Sequence, residues 1–470
     1  MKSGYISKKG SSRLLIIFAG WGMDEKVFQK FSRPGYDIAL VWDYTDLDID
    51  WTFTKDYEEL CIFAWSMGVF AASKTIKEIE PKITLKIAVN GTKSPISDEE
   101  GIPKEIFYAT LNNLSPHSVK KFFRRMSVSK EDRQLFEENR PEREFEDIQA
   151  ELQALSSFIS KAEKLQTSWD IAIIGEKDLI FPAKNQLAAW DKENTAVHIY
   201  DGGHYFNFLP ILDKFFIDKD NVRAHFHKSL ASYEENAPVQ EKITERIAFL
   251  MKETAGNIEK HVDLKVLEIG SGTGFLTRKL AEIIKDGEIE MWDFASDIPW
   301  NLPNHLKYTF KAVDAEVEIA SSPEESYDYI FSANAIQWFN SPERFLYNSA
   351  KTLKPGGYAF LSTFTKDNMK EITDITGNSL PFLDKEQWEK LVSRYFEIVK
   401  IEDSTIQISF PSPLDVVRHL KLTGVNSLGN NSGERKSPIR LLSEYPKESD
   451  GTCRLTYKPL IMMLKKKEGK

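Results

Sequence analysis

Cysteine is nearly absent. Two in 470 residues are too few for a disulfide framework. Cys61 opens an apolar run and reads as a small buried filler, while Cys453 has no CxxC or histidine cluster around it, so no metal site is expected. Long hydrophobic runs are also missing: the run from Leu14 to Trp21 is too short to span a bilayer and lacks a cleavage region. Positive charge is in deficit, the net charge being −9, which excludes general nucleic-acid binding. An acidic partner docking on a local basic patch stays compatible with it. A cytoplasmic setting without membrane association is therefore expected.

What is present is ordinary globular material, 41% hydrophobic and 28% charged, in a chain too long for one core. Short apolar runs at 14–18, 61–64, 85–90, 171–174 and 197–200 read as buried strands. Between Glu99 and Lys164 that rhythm stops for a polar, helix-patterned insertion. A second alternation begins at Leu264, with runs at 265–269, 289–292, 327–333, 358–364, 398–408 and 455–464, preceded by a helical segment from Arg223 to Glu253. The boundary is expected in the polar stretch 216–221, which holds no Gly/Ser-rich linker. Two α/β domains follow, 1–216 with a helical cap at about 99–164, and 222–470.

In the first half, Ala64-Trp65-Ser66-Met67-Gly68 joins a buried run to a helical pattern. A sharp strand-to-helix turn there would lift the Ser66 hydroxyl off the sheet edge. Asp178 follows one strand run and His204 the next, and the order Ser66, Asp178, His204 is that of α/β-hydrolases. Ser66 would attack, His204 would carry the proton, and Asp178 would fix the imidazole tautomer. Asp201 competes as the acid but lies too close in sequence to His204 to approach it easily. The glycine-lined loop around Trp21 would offer its N–H, paired with that of Met67, to an oxyanion.

In the second half, Glu268-Ile269-Gly270-Ser271-Gly272-Thr273-Gly274 joins a strand run to a helical stretch. Its G-x-G-x-G spacing departs from the pyrophosphate fingerprint and favours S-adenosylmethionine (SAM), which has no pyrophosphate. Asp293 ends the next strand, where a carboxylate can hold ribose hydroxyls. Asp314 and Ala315 are expected at the adenine edge, and Asn334 at the methyl-transfer face.

These segments resemble known families. The 226–240, 335–338 and 414–426 stretches are similar to malonyl-[acyl-carrier protein] O-methyltransferases of biotin synthesis, a match spanning roughly 222–464. At 227–228 the sequence has His-Lys where that pattern has a basic residue followed by small ones. The first half, through 18–22, 64–68, 175–178 and 203–204, resembles pimeloyl-[acyl-carrier protein] methyl ester esterases of the same pathway. The resemblance implies an α/β-hydrolase domain with a cap, followed by a Rossmann-like class I SAM methyltransferase domain. One half would methylate malonyl-carrier protein to mask its charge, and the other would hydrolyse the pimeloyl ester. Tyr233 and Gln337 would line the transfer site. Arg418, His419 and Lys421 would meet the malonyl carboxylate or the carrier, and Lys120, Lys121, Arg124 and Arg125 form the densest carrier-docking patch. The competing readings are a small-molecule esterase beside a phenol or quinone methyltransferase, and a SAM-binding module without transferase activity.

Overall fold

The computed structural model describes residues 1–193, 195–254, 263–295, 300, 302–377, 379–424 and 438–467, without the side chains of 231, 438 and 439. Val425 and Asn426, the end of the 414–426 stretch, lie outside them. The chain divides into two compact units, Met1–Leu212 and Asp213–Lys470. The division falls ahead of the expected 216–221 stretch for a packing reason. Ile217 and Val222 form an apolar cluster with Trp338, and Ile217 N–H donates to Asn340 Oδ1 at 2.9 Å, so this stretch belongs to the second unit.

The first unit is built on β1 (Lys2–Ser7), β2 (Arg13–Phe18), β3 (Asp37–Trp42), β4 (Glu59–Trp65), β5 (Ile83–Val89), β6 (Ile171–Gly175) and β7 (Ala196–Tyr200), in the order β1-β3-β2-β4-β5-β6-β7. Only β1 is antiparallel to its neighbour. Every residue of β4 and β5 is buried, as a parallel strand covered on both faces requires. β1 and β3 had not been anticipated; β1 is a mostly exposed edge strand with no apolar run to announce it. The insertion between β5 and β6 forms the helices Lys104–Asn112, Pro116–Met126, Lys130–Glu138 and Phe145–Ser160.

The second unit contains β8 (Leu264–Ile269), β9 (Gly287–Asp293), β10 (Lys307–Ala312), β11 (Tyr327–Ser332), β12 (Leu353–Phe364), β13 (Phe396–Asp403), β14 (Ile406–Phe410), β15 (Cys453–Tyr457) and β16 (Pro459–Lys466). Seven of them form a sheet in the order β10-β9-β8-β11-β12-β16-β13, and β14 pairs with β15 apart from it. Counted from β8, the first five follow the 3-2-1-4-5 order of a Rossmann-type sheet, with β16 inserted antiparallel between β12 and β13. Two expected strands are each split. The 455–464 run breaks at Lys458-Pro459 into strands of different sheets, because proline cannot donate to a continuous ladder. The 398–408 run breaks at Ser404-Thr405, where Ser404 N–H turns to Pro459 O at 3.1 Å. The single helical segment before β8 is likewise two helices, Lys219–Asn236 and Pro238–Thr254, interrupted where Pro238 lacks an N–H.

Candidate active sites

Ser66 sits between β4 and the helix Met67–Thr75 with φ 60° and ψ −127°. A non-glycine residue held there marks strain that the surroundings must impose. Gly68 shows how tightly they do so: a Cβ at that position would lie 2.5 Å from Ala19 O and from Phe18 O. Ser66 Oγ is 3.0 Å from His204 Nε2, and His204 Nδ1 is 2.9 Å from Asp178 Oδ2. All three residues are buried. Asp178 Oδ1 accepts from Ile180 and Phe181 N–H at 2.7 and 2.9 Å, and Gln186 Nε2 donates to Oδ2 at 3.2 Å. The Phe181 ring stacks parallel to the His204 ring at 5.7 Å. Asp201, the competing acid, is instead an exposed partner of Lys177.

Asn90 was missed by sequence reading. At φ 45° just beyond β5, its Nδ2 donates to Gly203 O and His204 O, both at 2.9 Å, and its Oδ1 accepts from Gly175 N–H at 2.6 Å. It therefore ties the acid-bearing and histidine-bearing loops together. The Asn90-Gly91 pair ending an apolar run was the signal available, since such a pair marks a turn.

The loop after β2 is fixed from the insertion. Glu151, fully buried on the helix Phe145–Ser160, accepts from Gly22 and Tyr44 N–H, each at 3.0 Å, and pairs with Arg143. Trp21 Nε1 donates to Ile148 O at 2.9 Å, and its ring meets Phe122 edge-on at 5.0 Å. Ala19, Gly22 and Met23 N–H are spent on Val41 O, Glu151 and Gly20 O, whereas Trp21 N–H has no acceptor among the described residues. Lys120, Lys121, Arg124 and Arg125 are exposed on the helix Pro116–Met126. Arg125 reaches Leu179 O at 3.2 Å, next to Asp178 in sequence.

In the second unit the glycine loop joins β8 to the helix Phe275–Ile283. Gly270, at φ 72°, leaves no room for a Cβ, which would lie 2.5 Å from that of Ala335. Gly272 N–H donates to Asp293 Oδ2 at 2.8 Å, and Asp293 Oδ1 accepts from Ala295 N–H at 2.9 Å. The loop walls a cleft that is open to solvent. Glu268, Gly270, Gly272, Asp293, Ala315 and Asn334 line it, with Tyr233 from the helix Lys219–Asn236. Burial pushes the Glu268 carboxyl up to about 8 and raises Asp293.

Six buried polar atoms on cleft-lining residues, the oxygens Gln240 Oε1, Glu268 Oε2, Ser271 Oγ, Thr273 Oγ1 and Asn334 Oδ1 and the donor Trp338 Nε1, have no partner among the described residues. Such atoms are costly unless a ligand or water meets them. The ammonium and hydroxyl hydrogens of SAM supply donors for the oxygens among them, so these residues fit that cofactor.

The structure corrects the expected role of Asp314. Its flanking residues Val313 and Ala315 line the cleft, but Asp314 does not. Its carboxylate caps the helix Ala315–Glu318 and pairs with buried Lys219 at 2.7 Å, which also meets Glu316 at 2.6 Å. Gly274 likewise does not line the cleft; it starts the following helix at φ 87°. Gln337 lines an adjoining chamber. Arg418 and Lys421 are exposed, Arg418 pairing with Asp415 at 3.0 Å, while His419 between them is buried against Tyr457. Among the described residues no group of three or more His, Cys, Asp or Glu could hold a metal ion, and no helix is long and apolar enough to cross a membrane.

Residues 1–211 match the family described as "Pimeloyl-ACP methyl esterase BioG", and residues 233–399 match "Methyltransferase domain". The Malonyl-[acyl-carrier protein] O-methyltransferase of Bacteroides fragilis is 34% identical over 462 residues, covering 96% of this chain and 93% of the relative. Its namesake in Bacteroides thetaiotaomicron is 33% identical over 270 residues, 54% of this chain and 100% of the relative. Among solved structures, selenomethionine BioG from Haemophilus influenzae is 33% identical with a TM-score of 0.41, covering 44% of this chain and 94% of that one.

Proposed function

The chain belongs to the malonyl-[acyl-carrier protein] O-methyltransferase family, and on that premise we propose a bifunctional enzyme of biotin-precursor synthesis. Its second unit transfers a methyl group from SAM to the free carboxylate of malonyl-[acyl-carrier protein]. Its first unit, an α/β-hydrolase with a helical cap, hydrolyses pimeloyl-[acyl-carrier protein] methyl ester. For the transferase, the supporting observation beside the family relationship is the cleft of unmet acceptors beside Asp293 and the glycine loop. For the esterase it is the Ser66–His204–Asp178 relay, with spacings of 3.0 and 2.9 Å.

In the esterase reaction His204 Nε2 takes the Ser66 proton as Oγ attacks the ester carbonyl. Asp178 holds Nδ1–H and stabilises the imidazolium. The N–H groups of Trp21 and Met67 receive the oxyanion. His204 then gives the proton to the departing methoxide oxygen as its bond to the carbonyl carbon breaks, methanol leaves, and water repeats the sequence on the acyl-enzyme.

SAM, when bound, supplies an electrophilic methyl group. Asp293 would accept from its ribose hydroxyls and Val313 and Ala315 would flank its base. Asn334 and Gln240 would accept from its ammonium. The acceptor needs no general base, because a carboxylate is ionised at neutral pH. The protein's task is alignment.

Methyl transfer from labelled SAM to malonyl-carrier protein, with free malonate and a phenol as controls, tests the transferase. Hydrolysis of the carrier-bound pimeloyl methyl ester tests the esterase. Transfer to the phenol alone would replace the first assignment.

A further inference from the structure

A second chamber adjoins the cofactor cleft, and the two share Phe226, Tyr233, Gln240, Asn334 and Trp338. The far wall is built from distant segments: Asn368, Thr423 and Tyr457. Thr423 ends the helix Pro413–Leu422, so the 414–426 stretch, left without a role above, helps to close this chamber. Asn368 Oδ1 accepts from Lys458 N–H at 3.0 Å, which commits the oxygen and leaves the Nδ2 hydrogens for the chamber. Thr423 Oγ1 donates to His419 O at 2.9 Å. Tyr457 Oη lies 2.7 Å from His419 Nε2. No Lys, Arg, Asp or Glu is among the described residues lining the chamber.

We infer that this chamber seats the methyl-accepting carboxylate, gripped by the neutral donors Tyr457 Oη–H and Asn368 Nδ2–H, and that His419 is a positioning residue for the Tyr457 hydroxyl. The inference rests on the methyltransferase reading above. In the transfer a carboxylate lone pair forms the O–CH₃ bond while the S–CH₃ bond breaks, its electron pair staying on sulfur. An anion and a sulfonium become two neutral groups, and no proton moves. Charge disappears along this path, so a guanidinium or ammonium clamped on the carboxylate would hold the ground state more tightly than the transition state. Neutral donors orient the carboxylate with less of that penalty.

Burial supports the donor assignment. It raises the Tyr457 hydroxyl well above its usual range, so the phenol keeps its proton. It lowers His419 to about 4, leaving a neutral imidazole at pH 7. With the proton on Nε2, His419 donates to Tyr457 Oη, and the phenolic hydrogen is free to point at a ligand. The same low basicity makes His419 a poor base for a phenol acceptor, which must lose a proton to react.

The test is steady-state transfer by the full chain from SAM to malonyl-carrier protein in Tyr457→Phe, His419→Phe and His419→Gln, with S-adenosylhomocysteine binding measured by calorimetry. Loss of one hydrogen bond to a charged acceptor should raise KM for malonyl-carrier protein about tenfold or more in Tyr457→Phe. His419→Phe should raise it less, and His419→Gln, whose amide N–H can replace Nε2–H, should recover most of that loss. S-adenosylhomocysteine affinity and Tm should stay close to wild type. An unchanged KM in Tyr457→Phe, or a matching fall in S-adenosylhomocysteine affinity, overturns the chamber assignment while the function stands. A wild-type chain that binds S-adenosylhomocysteine yet methylates no malonyl-carrier protein overturns the function reading, and this inference with it.

Discussion

The two sites are built on opposite principles. At Ser66 the three reacting side chains satisfy one another, serine to histidine, histidine to aspartate, and aspartate to two backbone N–H groups and Gln186, while Gln186 Oε1 and the Trp21 N–H are left without a partner among the described residues. In the second unit, Gln240, Ser271 and Asn334 each carry a buried polar atom with nothing to bond among the described residues. Where the reactive atom belongs to the chain, folding alone can bring the reacting side chains into contact. A site that borrows its reactive group must keep a cavity and unmet acceptors, at a cost in stability, until the ligand arrives.

The largest expected effect breaks the comparison cleanly. Ser66→Ala should lower kcat for ester hydrolysis by roughly 10⁴-fold or more and leave methyl transfer within about twofold, since additivity holds for distant sites. Asp293→Ala should do the reverse. It removes both the proposed ribose acceptor and the anchor of Gly272 N–H, so transfer efficiency should fall on the order of a hundredfold. If hydrolysis also collapses in Asp293→Ala while the fold survives, the sites are not independent.

The same contrast explains what the sequence disclosed. The contact of Ser66, Asp178 and His204 was legible because a relay of this kind needs fixed residue types at successive strand ends, and strand ends can be found from apolar runs. The glycine loop was legible for a similar reason: only glycine permits the approach of Gly270 to Ala335. Contacts between distant segments were not. Nothing near Asp314 in sequence announces that Lys219 will take its carboxylate. Nor does the polar β1 announce a strand, since pairing with β3 rather than burial holds it. The second chamber gathers residues from Phe226 to Tyr457, and only the folded sheet brings them together.

Ligand addition sharpens the contrast further. S-adenosylhomocysteine at about 100 times its Kd should stabilise the unit that binds it by about 2.7 kcal/mol. For a unit of this size that corresponds to roughly 5–10 °C in Tm. Differential scanning calorimetry should show one transition moving while the other stays, and Asp293→Ala should reduce the shift. A common shift of both transitions would mean that the units unfold together.

The proposed esterase should also select chain length. A chain that both makes malonyl methyl ester and, on this proposal, cleaves methyl esters would waste the short ester if it hydrolysed it rapidly. The pimeloyl chain is longer by four methylenes, worth roughly 3 kcal/mol if all are buried, or about a hundredfold in kcat/KM. Of the insertion's aromatics, Phe122 and Phe123 lie nearest the Trp21-Gly22 loop, which makes them the candidates for the apolar wall. Carrier-bound methyl esters of three, five and seven acyl carbons should rise steadily in kcat/KM, and a flat series would remove the length filter.

The smallest effect concerns the surface. Carrier proteins of the resembled pathway are acidic, and this chain is itself net negative, so docking needs a local basic face. The helix Pro116–Met126 offers one: Lys120, Lys121, Arg124 and Arg125 are exposed, and none forms an ion pair among the described residues. Arg125 meets the backbone next to Asp178, which puts the patch beside the relay. Exposed charges steer encounter more than they hold a complex, and each is screened within about 8–10 Å at physiological salt. Reversing Lys121 and Arg124 together should therefore raise KM for the carrier-bound ester only about three- to tenfold. The effect should shrink as salt rises, while a small free methyl ester is hydrolysed at the wild-type rate. Equal losses on both substrates would point to damage in the insertion, and no loss on the carrier-bound ester would leave this helix as a solvated face.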